Sequence, residues 1–203
     1  MRLGLLGPAV GREDSLERAM RFLQMEVDAH RVVYLDLDDA LDRVVRRWAE
    51  ALVGPEPGEA AIFARAAQHC VEASAEQIDR FIFAERERNR LQIFESLAGQ
   101  DCRAIELLHG RVVVMIYDKA LLDEEDIVAA SVLAFGKSRE PLVKQVGSRW
   151  FLSPGTLEHF GLMVLEDLDD GIHLIQYDTL CREVRRERLI AARGPRLRVS
   201  GEG

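Results

Sequence analysis

Phe135 to Thr156, reading F-G-K-S-R-E-P-L-V-K-Q-V-G-S-R-W-F-L-S-P-G-T, decides the fold. An apolar run from Ile127 to Phe135 leads into Gly136 and a tight polar turn, with Pro141 three residues past Ser138. A second apolar strand follows, then Trp150-Phe151-Leu152 and a Ser153-Pro154-Gly155 turn. The order is strand, polar loop, strand, strand, turn. Polar residues gather at strand ends, where α/β sheets place their binding and catalytic groups.

On either side the strand pattern continues. Upstream lie Ile105–Leu108, Val112–Ile116 and Val132–Phe135, and Asp123-Glu124-Glu125-Asp126 opens a short helix with its carboxylates at the positive end. Downstream, Gly161–Leu165 and Ile172–Tyr177 read as antiparallel strands around an Asp169-Asp170-Gly171 turn. At the N-terminus Leu3–Leu6 is a short buried strand closed by Gly7-Pro8. A helix starts at Asp14 or Ser15, with Leu16, Ala19, Met20 and Leu23 at helical spacing and Glu17 placed for a capping box. Val32–Leu35 is the next strand, and this strand–helix–strand unit is expected to be parallel and right-handed.

From Asp38 to about Ala98 the pattern is helical. Leu41, Val44, Val45, Trp48 and Leu52 form one apolar stripe, opposite Arg43, Arg46, Arg47 and Glu50. Gly54-Pro55-Glu56-Pro57-Gly58 breaks it, and Ile62, Phe63, Ala66, Ala67, Cys70 and Val71 form a second. Ser74-Ala75-Glu76-Gln77 reads as a capping box for a third helix reaching about Ala98. Its middle, Glu85 to Arg90, is polar all round, so part of that helix is expected to stand in solvent. Phe81, Ile82, Phe83 and Phe94 exceed what one buried stripe needs. Such a surplus reads as a dimer or partner surface, or as a lid over a cavity.

The 203 residues, 48% of them apolar, suffice for one substantial core. With 31% charged residues and a formal net charge of -8, the surface is not built for nucleic acid or an anionic membrane. No apolar run reaches the ~18 residues of a membrane span, and Met1–Leu6 lacks a signal-peptide pattern. Cys70, Cys102 and Cys181 are odd in number and scattered, which suits small apolar core positions in a reducing, cytoplasmic setting. The arginine-rich segment from Arg182 is interrupted by Glu183 and Glu187 and reads as a solvated strand face, with a flexible tail over 190–203.

The opening stretch resembles the C-terminal signature of the calcineurin-like metallophosphoesterases. There the first loop reads G-H-T-H followed closely by proline, and the later turn reads N-P-G-S. Here the loop is Gly136-Lys137-Ser138-Arg139 and the turn Ser153-Pro154-Gly155-Thr156. The resemblance covers roughly Met1–Asp39 and Ile105–Glu183. It implies an α/β fold, a two-sheet αββα sandwich in one domain over 1–203, with a helical insertion at 39–100. Family members hold two metal ions about 3.5–4 Å apart that activate a water. The family's D-x-H falls on Pro8-Ala9-Val10, its G-D on Asp36-Leu37, its later histidine on Tyr117-Asp118, and its paired histidines on Lys137 and Arg139. Every ligand that can be placed is replaced, so neither metal nor cofactor is expected.

The relic site then comprises Asp36, Asp38, Tyr117, Asp118, Lys137, Ser138 and Arg139. Lys137 and Arg139 either bind a phosphate-type anion, with Ser138 donating, or neutralise the nearby aspartates. The expected function is a non-catalytic pseudo-phosphoesterase that binds a protein partner or itself through the helical insertion. The family offers a precedent in a retromer-coat subunit that serves as an interaction scaffold. The alternatives are a weakly active or metal-independent phosphoesterase using Asp36, Asp38, Tyr117 and Lys137, or a phosphate or nucleotide sensor.

Overall fold

The computed structural model describes residues 1–70 and 73–191. In chain order the elements begin with β1 (Arg2–Leu6), α1 (Glu13–Met25), β2 (Arg31–Tyr34), α2 (Ala40–Val53), α3 (Ile62–Cys70) and α4 (Ala75–Arg90). Then come β3 (Phe94–Ser96), β4 (Ala104–Leu108), β5 (Arg111–Ile116), α5 (Glu124–Ala129), β6 (Val132–Phe135), β7 (Leu142–Val146) and β8 (Arg149–Ser153). The chain closes with β9 (Leu162–Leu168), β10 (Gly171–Tyr177) and β11 (Glu183–Ala191). Two sheets result, one ordered β11-β10-β9-β1-β2-β3 and the other β4-β5-β6-β8-β7.

Strands β1 and β2 pair in parallel, as do β5 with β6 and β6 with β8. Leu3, Leu5, Val33, Leu35, Met163 and Leu165 pack from the first sheet against Val113, Met115, Val132, Ala134 and Leu152 of the second. The opposite face of the first sheet, with Leu6, Val32, Tyr34 and Val164, receives Leu16, Ala19, Met20 and Leu23 of α1 and Leu41, Val44 and Ala49 of α2. Ala130, just past α5, packs on Val114 and Leu133 behind the second sheet. Helices therefore flank two stacked sheets, the αββα sandwich. The central strands are buried on both faces, which is why they read as continuous apolar runs.

Local signals explain two helix starts. Ser74 Oγ accepts from the Gln77 amide at 3.3 Å and the Gln77 side chain accepts from the Ser74 amide at 2.7 Å, closing the box that starts α4. Asp123 and Asp126 form the same reciprocal pair at α5.

Several expectations need correction. Glu17 caps nothing; it binds Arg21, Arg47 and the Trp48 indole instead. The third helix ends at Arg90 rather than near Ala98, because Leu91–Ile93 tightens into a 3-10 turn and Phe94 opens β3, which pairs with β2. Phe94 is thus a buried sheet residue, not surplus on the insertion. Of the polar middle of α4, Arg86, Asn89 and Arg90 are exposed, but Glu85 and Arg88 are only 6% and 7% exposed, because Arg65 reaches across from α3 to pair with Glu85. Cys102 is exposed rather than core, and Cys181 is half-buried. Ile190 and Ala191 belong to β11, and the remainder of the expected tail, 192–203, lies outside the described residues, as does Val71.

Among the described residues no helix is long and apolar enough to cross a membrane.

Candidate functional site: the strand-end loops

Two glycines bring the C-terminal ends of the parallel strands to one edge of the sandwich. Gly136, after β6, lies so close to β2 that a Cβ there would stand 1.5 Å from the Leu35 carbonyl oxygen. Gly7, after β1, lies equally close to the turn after β8, where a Cβ would stand 1.7 Å from the Gly155 carbonyl oxygen. Only a residue without a side chain fits either place. Backbone bonds complete the join: the Leu157 amide donates to Pro8 at 2.9 Å and the Thr156 amide to Arg139 at 3.0 Å. The loops after β1, β2, β5, β6 and β8 thereby surround one edge.

At that edge the Lys137 ammonium donates to the Asp118 carboxylate at 2.5 Å. The Ala120 amide donates to the other oxygen of Asp118 at 3.0 Å. The Lys137 hydrogen bond holds the Asp118 carboxyl below its ordinary range and raises the Lys137 ammonium, so both stay charged near neutrality. Asp38 is occupied differently. Its Oδ1 accepts from the Tyr34 hydroxyl at 2.9 Å and from the Ala40 amide at 3.1 Å, at the start of α2. The Tyr34 oxygen in turn accepts from the Ala9 amide at 3.0 Å. Burial, at 0% exposure, keeps that phenol protonated far beyond its usual range. Tyr34 and Asp38 therefore brace the loops after β1 and β2 against α2.

Asp36 is half-buried; burial raises its carboxyl above the ordinary value, partly offset by the Leu37 amide donating at 2.8 Å. The Tyr117 carbonyl accepts from the Gly136 and Lys137 amides, while its side chain packs on the inter-sheet core. Ser138 donates its hydroxyl to the Glu140 carbonyl at 2.7 Å. Arg139 is exposed and makes no side-chain hydrogen bond or ion pair among the described residues. Thr156, 5% exposed, has a buried hydroxyl oxygen without a partner. Val10, in the loop after β1, has φ +50°, a left-handed conformation that strains a β-branched residue.

The edge thus unites Asp118 with Lys137 and Asp38 with Tyr34. Among the described residues no three His, Cys, Asp or Glu side chains converge as a metal site would require. His109-Gly110 sits in the β4–β5 turn, where His109 binds Asp167 on β9 through its amide at 2.9 Å and its ring at 3.1 Å. Sequence reasoning missed Tyr34, although a tyrosine ending a buried strand four residues before an aspartate is a visible signal. It also missed the second charged cluster. There Arg65 Nε donates to Glu85 at 2.7 Å and Arg88 Nε donates to the other Glu85 oxygen at 2.8 Å. Arg65 further donates to the carbonyls of Glu56 and Gly58.

No protein family and no curated protein matches this chain. Solved structures similar to it include Vps29 of Entamoeba histolytica complexed with zinc, at 14% identity over 92% of this chain and 97% of that one, TM-score 0.47. An archaeal phosphodiesterase is similar at 9% identity over 87% and 99% of the two chains, TM-score 0.46. A predicted phosphoesterase from Streptococcus pneumoniae is similar at 11% identity over 92% and 97%, TM-score 0.47.

Proposed function

We propose that this protein is a non-catalytic pseudo-phosphoesterase, a binding or scaffold module whose interaction surface is the α3–α4 hairpin. The observation that carries the proposal is that this hairpin is built inside out. Arg65, Glu85 and Arg88 are buried at 8%, 6% and 7% exposure, while Phe63 and Phe83 are 84% and 64% exposed. Exposed aromatic rings on an element with a charged interior do not serve that element's own packing; they suit a surface covered by another protein. The strand-end loops support the non-catalytic half. Asp118 is neutralised by Lys137, and Asp38 braces Tyr34 and α2. Both carboxylates are thereby engaged within the fold rather than held open for bridging cations.

The test is a phosphodiester and phosphomonoester hydrolysis assay with added manganese. No turnover above buffer is expected. Turnover that disappears in Asp36→Asn or Asp118→Asn would overturn the proposal. A second reading, an anion site, is favoured by the Arg139 side chain, which is unpaired among the described residues, on a loop whose Arg139 carbonyl accepts from the Thr156 amide. Titration with inorganic phosphate, comparing wild type with Arg139→Ala, tests it; saturable binding lost in the variant supports it, and no saturation rejects it.

A further inference from the structure

The exposed side of α4 carries Glu76, Asp79, Phe83, Arg86 and Arg90. Steps of three, four, three and four residues keep all five in one stripe along the helix. The stripe reads acid, acid, phenylalanine, base, base. Reversed in direction and inverted in sign, the order of residues reads the same, with Glu76 and Arg90 equidistant from Phe83 and Asp79 and Arg86 within one residue of equidistant. The side chains of Asp79 and Arg86 make no hydrogen bond or ion pair among the described residues. Glu76 stands 3.6 Å from Arg80 with its side chain 83% exposed, and Arg90 stands 3.2 Å from Glu87. Phe83 sits at the midpoint, with Ile82 beside it at 40% exposure.

We infer that α4 pairs with α4 of a second copy, antiparallel, about a two-fold axis at Phe83. In that arrangement the two Phe83 rings meet at the axis, Asp79 of each copy faces Arg86 of the other, and Glu76 faces Arg90. A two-fold interface requires a self-complementary patch, and this stripe is one. Parallel packing would set acid against acid and base against base, so the charge order selects the antiparallel pair. The pairing also sets the positive end of each helix beside the negative end of the other. It rests on the proposal that the α3–α4 hairpin is an interaction surface and names its occupant. One helix pair covers less than the ~1,600 Å² of a standard interface, so the association is weak and concentration-dependent.

Sedimentation velocity of the full chain from about 1 μM to about 1 mM tests it. Wild type should shift from monomer to dimer across that range. Asp79→Arg and Arg86→Asp should each weaken association by on the order of tenfold or more, since each sets like charges together twice. Mixed in equal amounts, the two variants should recover wild-type association, because one copy then presents two bases and the other two acids. Phe83→Ser should abolish the dimer; circular dichroism matching wild type shows that the exposed substitution leaves the fold intact. A wild type that stays monomeric, single variants that associate unchanged, or a mixture that gives no recovery each overturn the pairing. Such a failure is distinct from failure of the scaffold reading, which falls on phosphoester turnover.

Discussion

Glu85 is a single carboxylate held between two guanidinium groups inside the hairpin, at 2.7 Å from Arg65 and 2.8 Å from Arg88. Replacing it removes the one negative charge from a buried group that carries two positive ones. Glu85→Gln should therefore destabilise the protein by about 3–5 kcal/mol, the usual cost of breaking a buried pair, measured by urea unfolding. The same pair has a pH signature. The Arg65 hydrogen bond lowers the Glu85 carboxyl below its ordinary value of 4.5 in the folded state. Its contribution is complete above that value and is lost as pH falls through the lower folded pKa. Unfolding measured from pH 7 down to pH 3 should show wild type losing stability in acid more steeply than Glu85→Gln. Equal acid slopes would show that this carboxylate is not linked to folding. The sequence could not reveal the cluster, because periodicity assigns a run of polar residues to solvent. What buries Glu85 is Arg65, 20 residues away on another helix. Lys137 and Asp118 could be named by contrast, since each comes two residues after the end of an apolar strand.

At the scale of elements, the cap of α4 was legible, the one expected at Glu17 does not form, and overruns were not legible. A capping box is a bond between residues three apart, so Ser74 with Gln77 is visible in the sequence, whereas Asp123 with Asp126 read only as acids at a helix start and proved to be a box as well. The end of α4 is not visible there. Leu91, Ile93 and Phe94 continue an apolar pattern that suits helix or strand, and only pairing of Phe94 with Val32 decides for β3. Since α4 buries only Glu85 and Arg88 of its own residues, its stability leans on its cap more than that of α1, which buries Leu16, Met20 and Leu23. Ser74→Ala should cost about 1 kcal/mol. Hydrogen exchange should quicken at the α4 amides while those of β1 and β9 keep wild-type rates; a uniform change across both would mean that α4 does not open on its own.

At the scale of the whole molecule, the central strands and their alternation with helices, unlike β3 (Phe94-Glu95-Ser96) and the charged β11, were readable because each is a short apolar run between turn residues. The strand order was not, because it depends on which distant runs meet. Gly136 shows where that information resides. Its sequence context marks only a turn after a strand, yet its place is fixed by the Leu35 carbonyl of the other sheet. Gly58 lies in a comparable polar break, but a Cβ there would meet nothing within 4 Å, and its φ of -58° suits any residue. Alanine at the two positions should act oppositely. Gly58→Ala should leave stability unchanged or raise it by up to about 1 kcal/mol, through the unfolded chain. Gly136→Ala should cost about 3 kcal/mol or more, since two backbones must separate to admit one methyl group. Thermal unfolding of the two variants beside wild type measures the contrast. Equal melting temperatures for Gly136→Ala and wild type would mean that the sheets do not meet at Leu35, and the edge built from loops of both sheets would come apart with them.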